Sequence, residues 1–139
     1  MSGGADSPLS TFHPLLSRWF SDAVGEPTPV QVEAWSRIAR GAHCLISAPT
    51  GTGKTFAAFL IAIDRLLKGS AGRVLYISPL KALNYDIERN LNRPLQELQE
   101  RFAEAGEEFP EIRVGLRSGD TEQSERRRLN KNPPDILVT

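Results

Sequence analysis

Residues 48–55 read Ala-Pro-Thr-Gly-Thr-Gly-Lys-Thr, and this stretch is the strongest indication of the fold. A short apolar run at residues 44–47 precedes it and fits a buried strand, while residues 56–63 after it favour a helix. A strand, a glycine-rich turn and a helix form the setting that a phosphate-binding P-loop requires. This setting disfavours the alternative, a glycine-rich turn without a ligand. The sequence therefore predicts an α/β fold with a polyphosphate site at the turn.

Each residue type in the turn has a physical role in such a site. Backbone N–H groups of residues 51–55 would surround the phosphates, next to the positive end of the helix that begins near Lys54. The Lys54 ammonium would reach the β- and γ-phosphates, and the Thr55 hydroxyl would bind Mg²⁺. These two residues are also the catalytic candidates. The predicted nucleotide-binding residues of the turn are Pro49, Thr50, Gly51, Thr52, Gly53, Lys54 and Thr55.

The composition fits one modest domain. The chain has 139 residues, of which 40% are hydrophobic, and 17 basic residues balance 17 acidic ones. A net charge of zero gives no general support for nucleic-acid binding, so any such site must be local. The single cysteine, Cys44, is predicted to be buried and excludes a disulfide within the chain. The sequence shows neither an apolar stretch of about 18 residues nor a signal-peptide pattern, so we expect a cytoplasmic protein without a membrane partner.

The rest of the chain alternates between helical and strand patterns. Residues 1–11 are predicted to be disordered, residues 12–41 to form a helical segment, and residues 42–139 to form the α/β domain. The predicted helices cover residues 14–24, 29–40, 54–69, 81–105 and 121–129, and the predicted strands cover residues 44–47, 73–78, 112–118 and 135–139.

Local signals mark several of these helix ends. Thr28 and Pro29 fit the N-cap and the first position of the second helix, which Gly41 closes. Pro94 is expected to start a new helix after a break at Arg93.

Strands that alternate with helices predict a parallel sheet with right-handed crossovers. Ligands on such sheets lie at the carboxyl ends of the strands. Those ends are predicted at Ser47, Ser78, Ser118 and Thr139, so we expect binding residues to gather there.

Five segments, in the expected order, resemble motifs of superfamily 2 helicases, and their combination is most similar to the large helicase-related (Lhr) proteins. They are residues 27–31 (Q motif), 48–55 (motif I), 78–83 (motif Ia), 115–121 (the following nucleic-acid contact segment) and 133–139 (the strand leading into motif Ib). The resemblance covers residues 12–139. It implies the front part of a RecA-like motor domain that binds ATP and Mg²⁺. In the complete enzyme, it further implies ATP hydrolysis coupled to translocation along DNA or RNA and to unwinding.

The resemblance also implies roles for residues outside the P-loop. Gln31 has two alternative roles: contact with the adenine edge, which the resemblance favours, or the partner of Thr28 in a capping box. Phe12 is either the aromatic residue upstream of a Q motif or a core residue. The implied nucleic-acid contacts are Ser78, Pro79, Lys81, Arg117, Ser118, Gly119 and Thr121. The segment 78–83 also fits a plain strand-to-helix turn, and the run Arg126-Arg127-Arg128 is interpreted as a solvated face.

The sequence departs from the family pattern after residue 139. No Asp-Glu pair occurs in it, and the acidic Walker B strand, the Ser-Ala-Thr segment and a second RecA-like domain are not present. We therefore expect these 139 residues alone to be inactive and the rest of the motor to lie in the full-length protein. The alternatives are a P-loop nucleotide-binding module outside the helicases and a fragment with only an interaction role.

Overall fold

The computed structural model describes residues 7–49, 53–70, 72–78 and 87–139, which alternate between helices and parallel strands. In chain order the elements are α1 (Pro14–Ala23), α2 (Pro29–Ala39), α3 (Lys54–Leu67), β1 (Val74–Tyr76), a π-helix (Glu88–Asn92), α4 (Arg93–Glu104), β2 (Val114–Leu116), α5 (Gln123–Lys131) and β3 (Ile136–Val138). This order confirms the α/β class predicted from the sequence. Across the described ranges, no helix has both the length and the apolar character needed to cross a bilayer.

The three described strands form one parallel sheet. Both β1 and β2 pair with β3, so the last strand in the chain lies in the middle. Tyr76, Val138 and Leu116 share one row of the register. Because the strands run in the same direction, their carboxyl ends lie at one edge of the sheet, as parallel topology requires.

The core is rich in aromatic residues and joins the helices to one face of the sheet. Trp35 Nε1 donates a hydrogen bond to the Ala57 carbonyl at 2.9 Å, which ties α2 to α3. The Phe20 ring lies edge-on to Trp35, with centroids 5.6 Å apart. On the other side of α3, the rings of Phe59 and Tyr76 have centroids 4.7 Å apart. Helix α3 therefore lies between α2 and the sheet.

The local signals for helix ends are confirmed in the second helix. Thr28 is the N-cap of α2, with Pro29 after it in the first turn, and the Thr28 hydroxyl accepts a hydrogen bond from the Gln31 N–H. Gly41 follows the C-cap residue Arg40 and has a φ of +80°, a conformation that glycine adopts most easily.

The predicted break at Arg93 is wrong as an interruption: the chain stays helical, changes helix type after Asn92, and α4 already begins at Arg93. The π-helix Glu88–Asn92 leads directly into α4, whose first turn contains Pro94. Proline has no N–H to donate and its ring crowds the carbonyl four residues earlier, so a regular α-helix cannot continue through it. The part of the predicted helix at residues 81–86 lies outside the described residues.

The predicted strand at residues 44–47 is wrong for the described chain. These residues have no regular secondary structure, Leu45 is 95% exposed, and Cys44 is exposed rather than buried. An extended segment becomes a strand only when a neighbour pairs with its backbone. None of the three described strands pairs with this segment, because β1, β2 and β3 bond to one another.

The packed unit also begins earlier than expected. Residues 7–11, assigned to a disordered N-terminus, form a turn in which Leu9 is 6% exposed and belongs to the core. The Ser17 hydroxyl donates to the Leu9 carbonyl at 2.6 Å, and Lys68 donates to the Thr11 carbonyl. One apolar side chain among small polar residues gives no periodic signal, which is why the composition of this segment was misleading.

Candidate functional site

The start of α3 has the features of a phosphate-binding turn. Gly53 lies at the N-cap position with φ +80° and ψ 24°, and no described side chain caps this helix end. A β-carbon at residue 53 would lie only 2.3 Å from Gln31 Nε2. Glycine is therefore needed here for both its backbone conformation and its lack of a side chain. Thr50, Gly51 and Thr52 lie outside the described residues.

The two predicted catalytic residues begin α3. Lys54 is half-buried, and its ammonium donates a hydrogen bond to the Ala48 carbonyl, which draws the side chain back across the turn. Thr55 is also half-buried at the next position. Pro49 is exposed and follows Ala48 directly. The cation, the hydroxyl and the N-terminus of α3 therefore lie at the same end of one helix.

Gln31 links the helical N-terminal segment to this turn. Its Oε1 accepts a hydrogen bond from the Thr28 N–H at 3.0 Å, and its backbone N–H donates to Thr28 Oγ1 at 3.3 Å. Its Nε2 donates to the Gly53 carbonyl at 3.3 Å. The capping-box alternative is thus observed directly. A side-chain amide has two N–H donors and a carbonyl with two lone pairs, so one donor and one acceptor site remain beyond these bonds. Contact with adenine stays a prediction.

A cleft of about 730 Å³ opens beside Gln31 and Gly53. Its other walls include the rings of Trp19 and Phe56 and the polar side chain of Glu97. Trp19 Nε1 donates to Glu97 Oε2 at 2.7 Å, which holds this wall in place. The cleft is large enough for a nucleobase and combines aromatic surface with polar groups.

Phe12 is not part of this cleft. Its ring is 5% exposed and lies edge-on to Trp35, with centroids 5.0 Å apart. Of the two alternatives for Phe12, the structure therefore shows the core position.

The predicted nucleic-acid contacts that the structure describes lie at the carboxyl edge of the sheet. The Ser78 N–H donates to the Thr139 carbonyl, and the Arg117 N–H donates to the Val138 carbonyl, both at 2.8 Å. Ser78 and Arg117 therefore flank the end of β3 on either side. Ser47, which was also predicted to end a strand, is not in the sheet of the three described strands. Pro79 and Lys81 lie outside the described residues.

Residues 118–121 form a tight loop after β2. The Ser118 N–H donates to Thr121 Oγ1 at 2.8 Å, and the Thr121 N–H donates to the Ser118 carbonyl at 3.3 Å. The Asp120 N–H donates to Ser118 Oγ at 3.2 Å. Ser118, Gly119 and Asp120 are exposed, so the loop presents two small residues and one acidic residue at the sheet edge.

Arg126 holds this loop, a role that the sequence analysis missed. Its Nε donates to the Thr121 carbonyl at 2.9 Å, and its Nη2 donates to the carbonyls of Ser118 and Gly119, both at 3.1 Å. Interpretation as a solvated face is correct for Arg127 and Arg128, which are exposed, but wrong for the half-buried Arg126. Its position four residues into a helix that follows the loop is the only sequence signal for this role.

The parallel sheet and the Gly-Lys-Thr start of α3 define the class of P-loop α/β nucleotide-binding domains. The sequence model of the DEAD/DEAH box helicase family matches residues 28–139, and the chain belongs to this family. Membership of this family does not support a P-loop module outside the helicases.

Individual relatives agree with the similarity to Lhr proteins. The chain is 50% identical over 143 residues to the Lhr helicase/probable uracil glycosylase of Mycolicibacterium smegmatis, covering 99% of this chain and 9% of that protein. It is 46% identical over 139 residues to the Lhr helicase/uracil glycosylase of Escherichia coli, covering 92% and 9%. Among solved structures, it is similar to the Mycobacterium smegmatis helicase Lhr bound to ssDNA and AMP-PNP, with a TM-score of 0.88 and 50% identity over 96% of this chain and 17% of that chain. The chain thus spans about a tenth of the length of these bacterial relatives.

Proposed function

We propose that this chain contributes the ATP-binding part of an ATP-dependent helicase motor. In the full-length protein, this motor would couple ATP hydrolysis to translocation along DNA or RNA and to unwinding. The observation that carries the proposal is the turn at Gly53, followed by Lys54 and Thr55 at the start of α3, in a chain of the DEAD/DEAH box helicase family. The proposed setting is the cytoplasm, where ATP and nucleic acid occur together.

The described residues fit a nucleotide and Mg²⁺. The N-terminus of α3 offers backbone N–H groups and the positive end of the helix dipole to a phosphate. Lys54 would exchange the Ala48 carbonyl for phosphate oxygens, a stronger partner for an ammonium because it is charged. The Thr55 hydroxyl is the hard oxygen ligand that Mg²⁺ prefers. A bound Mg²⁺ would neutralise part of the negative charge on the phosphates.

The cleft beside Gln31 is the proposed site of the adenine base. Beyond its bonds to Thr28 and Gly53, and counting the described residues alone, the Gln31 amide keeps one N–H and one lone pair, which match the donor and acceptor pattern of the adenine edge. The half-buried Phe56 ring on another wall of the cleft offers aromatic surface to a flat base. Since Nε2 also bonds to the Gly53 carbonyl, the base and phosphate contacts would be physically connected.

The carboxyl edge of the sheet is the proposed surface for the sugar–phosphate backbone. The set comprises Ser78, Pro79, Lys81, Arg117, Ser118, Gly119 and Thr121. Hydroxyls, backbone N–H groups and cations of this kind contact phosphates without reading sequence. Such a grip suits translocation, because the motor must hold every sequence equally well.

The proposal is tested by measuring Mg·ATP affinity of the full-length protein with Lys54→Ala. We expect most of the affinity to be lost while the melting temperature stays near that of the wild type, because Lys54 is at the surface of the turn and not in the core. Unchanged Mg·ATP affinity in the variant would refute the P-loop assignment.

A further inference from the structure

We propose that Arg126 is a positioning residue for nucleic-acid binding, because its guanidinium fixes the loop 118–121 in the form that can receive a phosphate of the nucleic-acid backbone. The inference rests on the proposed function, specifically on the contact between this loop and phosphates. It adds a residue that would not itself touch the nucleic acid but would set the affinity for it.

Arg126 bonds to several carbonyls of one loop, and the direction of these bonds orients the peptide groups of the loop. Three carbonyls of one short loop, those of Ser118, Gly119 and Thr121, accept hydrogen bonds of 2.9 to 3.1 Å from this one guanidinium. In a trans peptide the carbonyl and the following N–H point in opposite directions. The Ser118 carbonyl is directed at Arg126, so the Gly119 N–H is directed away from it.

The charge of Arg126 also favours the approach of a phosphate to the loop. A carbonyl oxygen carries partial negative charge, and three of them in an exposed loop would repel a phosphate. Arg126 turns all three toward a cation, while the Ser118 and Gly119 positions of the loop remain exposed. At Ser118 and Gly119 the loop can then approach an anion with N–H and hydroxyl groups instead of carbonyl oxygens, an arrangement that resembles other anion-binding backbone turns. The exposed Asp120 adds a carboxylate to the same loop, which repels a phosphate and restricts this approach to the Ser118 and Gly119 positions.

Arg126 differs from the neighbouring arginines in the partners of its guanidinium. Guanidinium is a planar fork with five N–H donors, which an ammonium cannot reproduce in geometry. Arg128 instead pairs with Glu125 at 2.9 Å, and Arg127 is exposed. The triple-arginine run therefore contains one residue directed at the loop, and the neighbouring Arg127 provides a matched control.

The test compares Arg126→Lys with Arg127→Lys in the full-length protein, since both changes keep the charge. Affinity for a single-stranded oligonucleotide is measured by fluorescence anisotropy over a range of salt concentrations. We expect Arg126→Lys to weaken binding by about tenfold, consistent with the loss of one or two hydrogen bonds to a charged donor. Arg127→Lys should bind like the wild type. Because charge is conserved, the slope of log affinity against log salt should stay the same in both variants.

A second measurement distinguishes an effect on loop position from a loss of folding or of ATP hydrolysis. In nucleic-acid-stimulated ATP hydrolysis, Arg126→Lys should raise the oligonucleotide concentration needed for half-maximal stimulation about tenfold, in line with its expected affinity loss. Its maximal rate and Mg·ATP affinity should remain those of the wild type. Equal affinities of Arg126→Lys and Arg127→Lys for the oligonucleotide would overturn the inference.

A third variant, Thr121→Val, distinguishes this failure from failure of the proposed function. If Thr121→Val weakens binding and Arg126→Lys does not, the loop contacts nucleic acid but Arg126 does not position it. If neither change has an effect, the loop is not a contact, and both the inference and that part of the proposed function are wrong.

Discussion

At the scale of single residues, the contact between Gln31 and Gly53 is the most informative feature. A hydrogen bond of 3.3 Å from Gln31 Nε2 to the Gly53 carbonyl joins the segment before the P-loop to the start of α3. Gln31 is buried, with 3% of its surface exposed. The capping box with Thr28 fixes the Gln31 amide from the other side. A nucleotide that displaces either residue would therefore also displace the other.

We predict that Gly53→Ala lowers the Mg·ATP affinity and the melting temperature more than Gly41→Ala does. Both glycines have a φ of +80°, so both substitutions carry the same backbone strain of about 1 kcal/mol. At residue 53 the new β-carbon would meet Gln31 Nε2 at 2.3 Å, whereas none of the described residues lies within 4 Å of a β-carbon at residue 41. Mg·ATP affinity and the melting temperature of the full-length protein provide the measurement. Equal losses in the two variants would contradict the importance of this contact.

Gln31 itself is tested by comparison with its capping partner. Thr28→Ala removes the cap at a cost of about 1 kcal/mol but leaves the Gln31 amide in the protein. We expect Gln31→Ala to lower stability by a similar amount and also to narrow the difference in affinity between ATP and GTP. The measurement is the ratio of the two dissociation constants in each variant. If both variants keep the wild-type ratio, Gln31 only caps the helix and does not recognise adenine.

At the scale of elements, the packing of α5 against β2 holds the second candidate site in place. A β-carbon on Gly115 in β2 would lie 2.7 Å from Leu129 Cδ2 and 2.8 Å from Pro134 Cγ. Glycine is needed here for close approach and not for an unusual backbone angle. Leu129 belongs to α5, which also carries Arg126.

We therefore predict that Gly115→Ala loosens α5. Overpacking of this kind costs about 1–3 kcal/mol. The expected result is faster hydrogen–deuterium exchange in peptides that cover residues 123–131 of the full-length protein. Gly72→Ala is the matched control, because within the described parts of the chain no atom lies within 4 Å of a β-carbon there. Unchanged exchange in α5 of the Gly115 variant would show that the contact does not constrain the helix.

The same scale shows what sequence reasoning can and cannot reach. The N-cap at Thr28 was predictable, and the start of α4 was predictable to within one residue of Pro94, because capping and proline effects act within a few residues. The segment 44–47 was predicted as a strand from its apolar pattern, yet strand formation depends on a partner that a local pattern does not contain. Arg126 was missed for a similar reason, since its partners are backbone carbonyls brought together by a turn.

At the scale of the whole molecule, the chain spans 9% of the Mycolicibacterium smegmatis relative. Five large apolar residues of the described structure are exposed, and the three most exposed are Leu45 at 95%, Ile77 at 71% and Leu75 at 61%. Exposed apolar surface of this size is typical of contacts with other protein parts. We expect the remainder of the full-length protein to cover these residues.

We predict that the 139-residue chain alone binds Mg·ATP weakly and does not hydrolyse it at a useful rate. Lys54, Thr55 and the N-terminus of α3 supply part of a phosphate site, but the sequence contains no Asp-Glu pair to position Mg²⁺ and water. Steady-state ATP hydrolysis with and without single-stranded nucleic acid checks this expectation. Stimulated turnover by the chain alone, lost on Lys54→Ala, would show that the site needs no further residues.

The most direct test of the helicase proposal is the rate of ATP hydrolysis by the full-length protein as single-stranded nucleic acid is titrated. The account predicts a rate that rises with nucleic-acid concentration to a plateau, and the loss of both the basal and the stimulated rate in Lys54→Ala. A rate that does not respond to nucleic acid, or one that Lys54→Ala leaves intact, would contradict it.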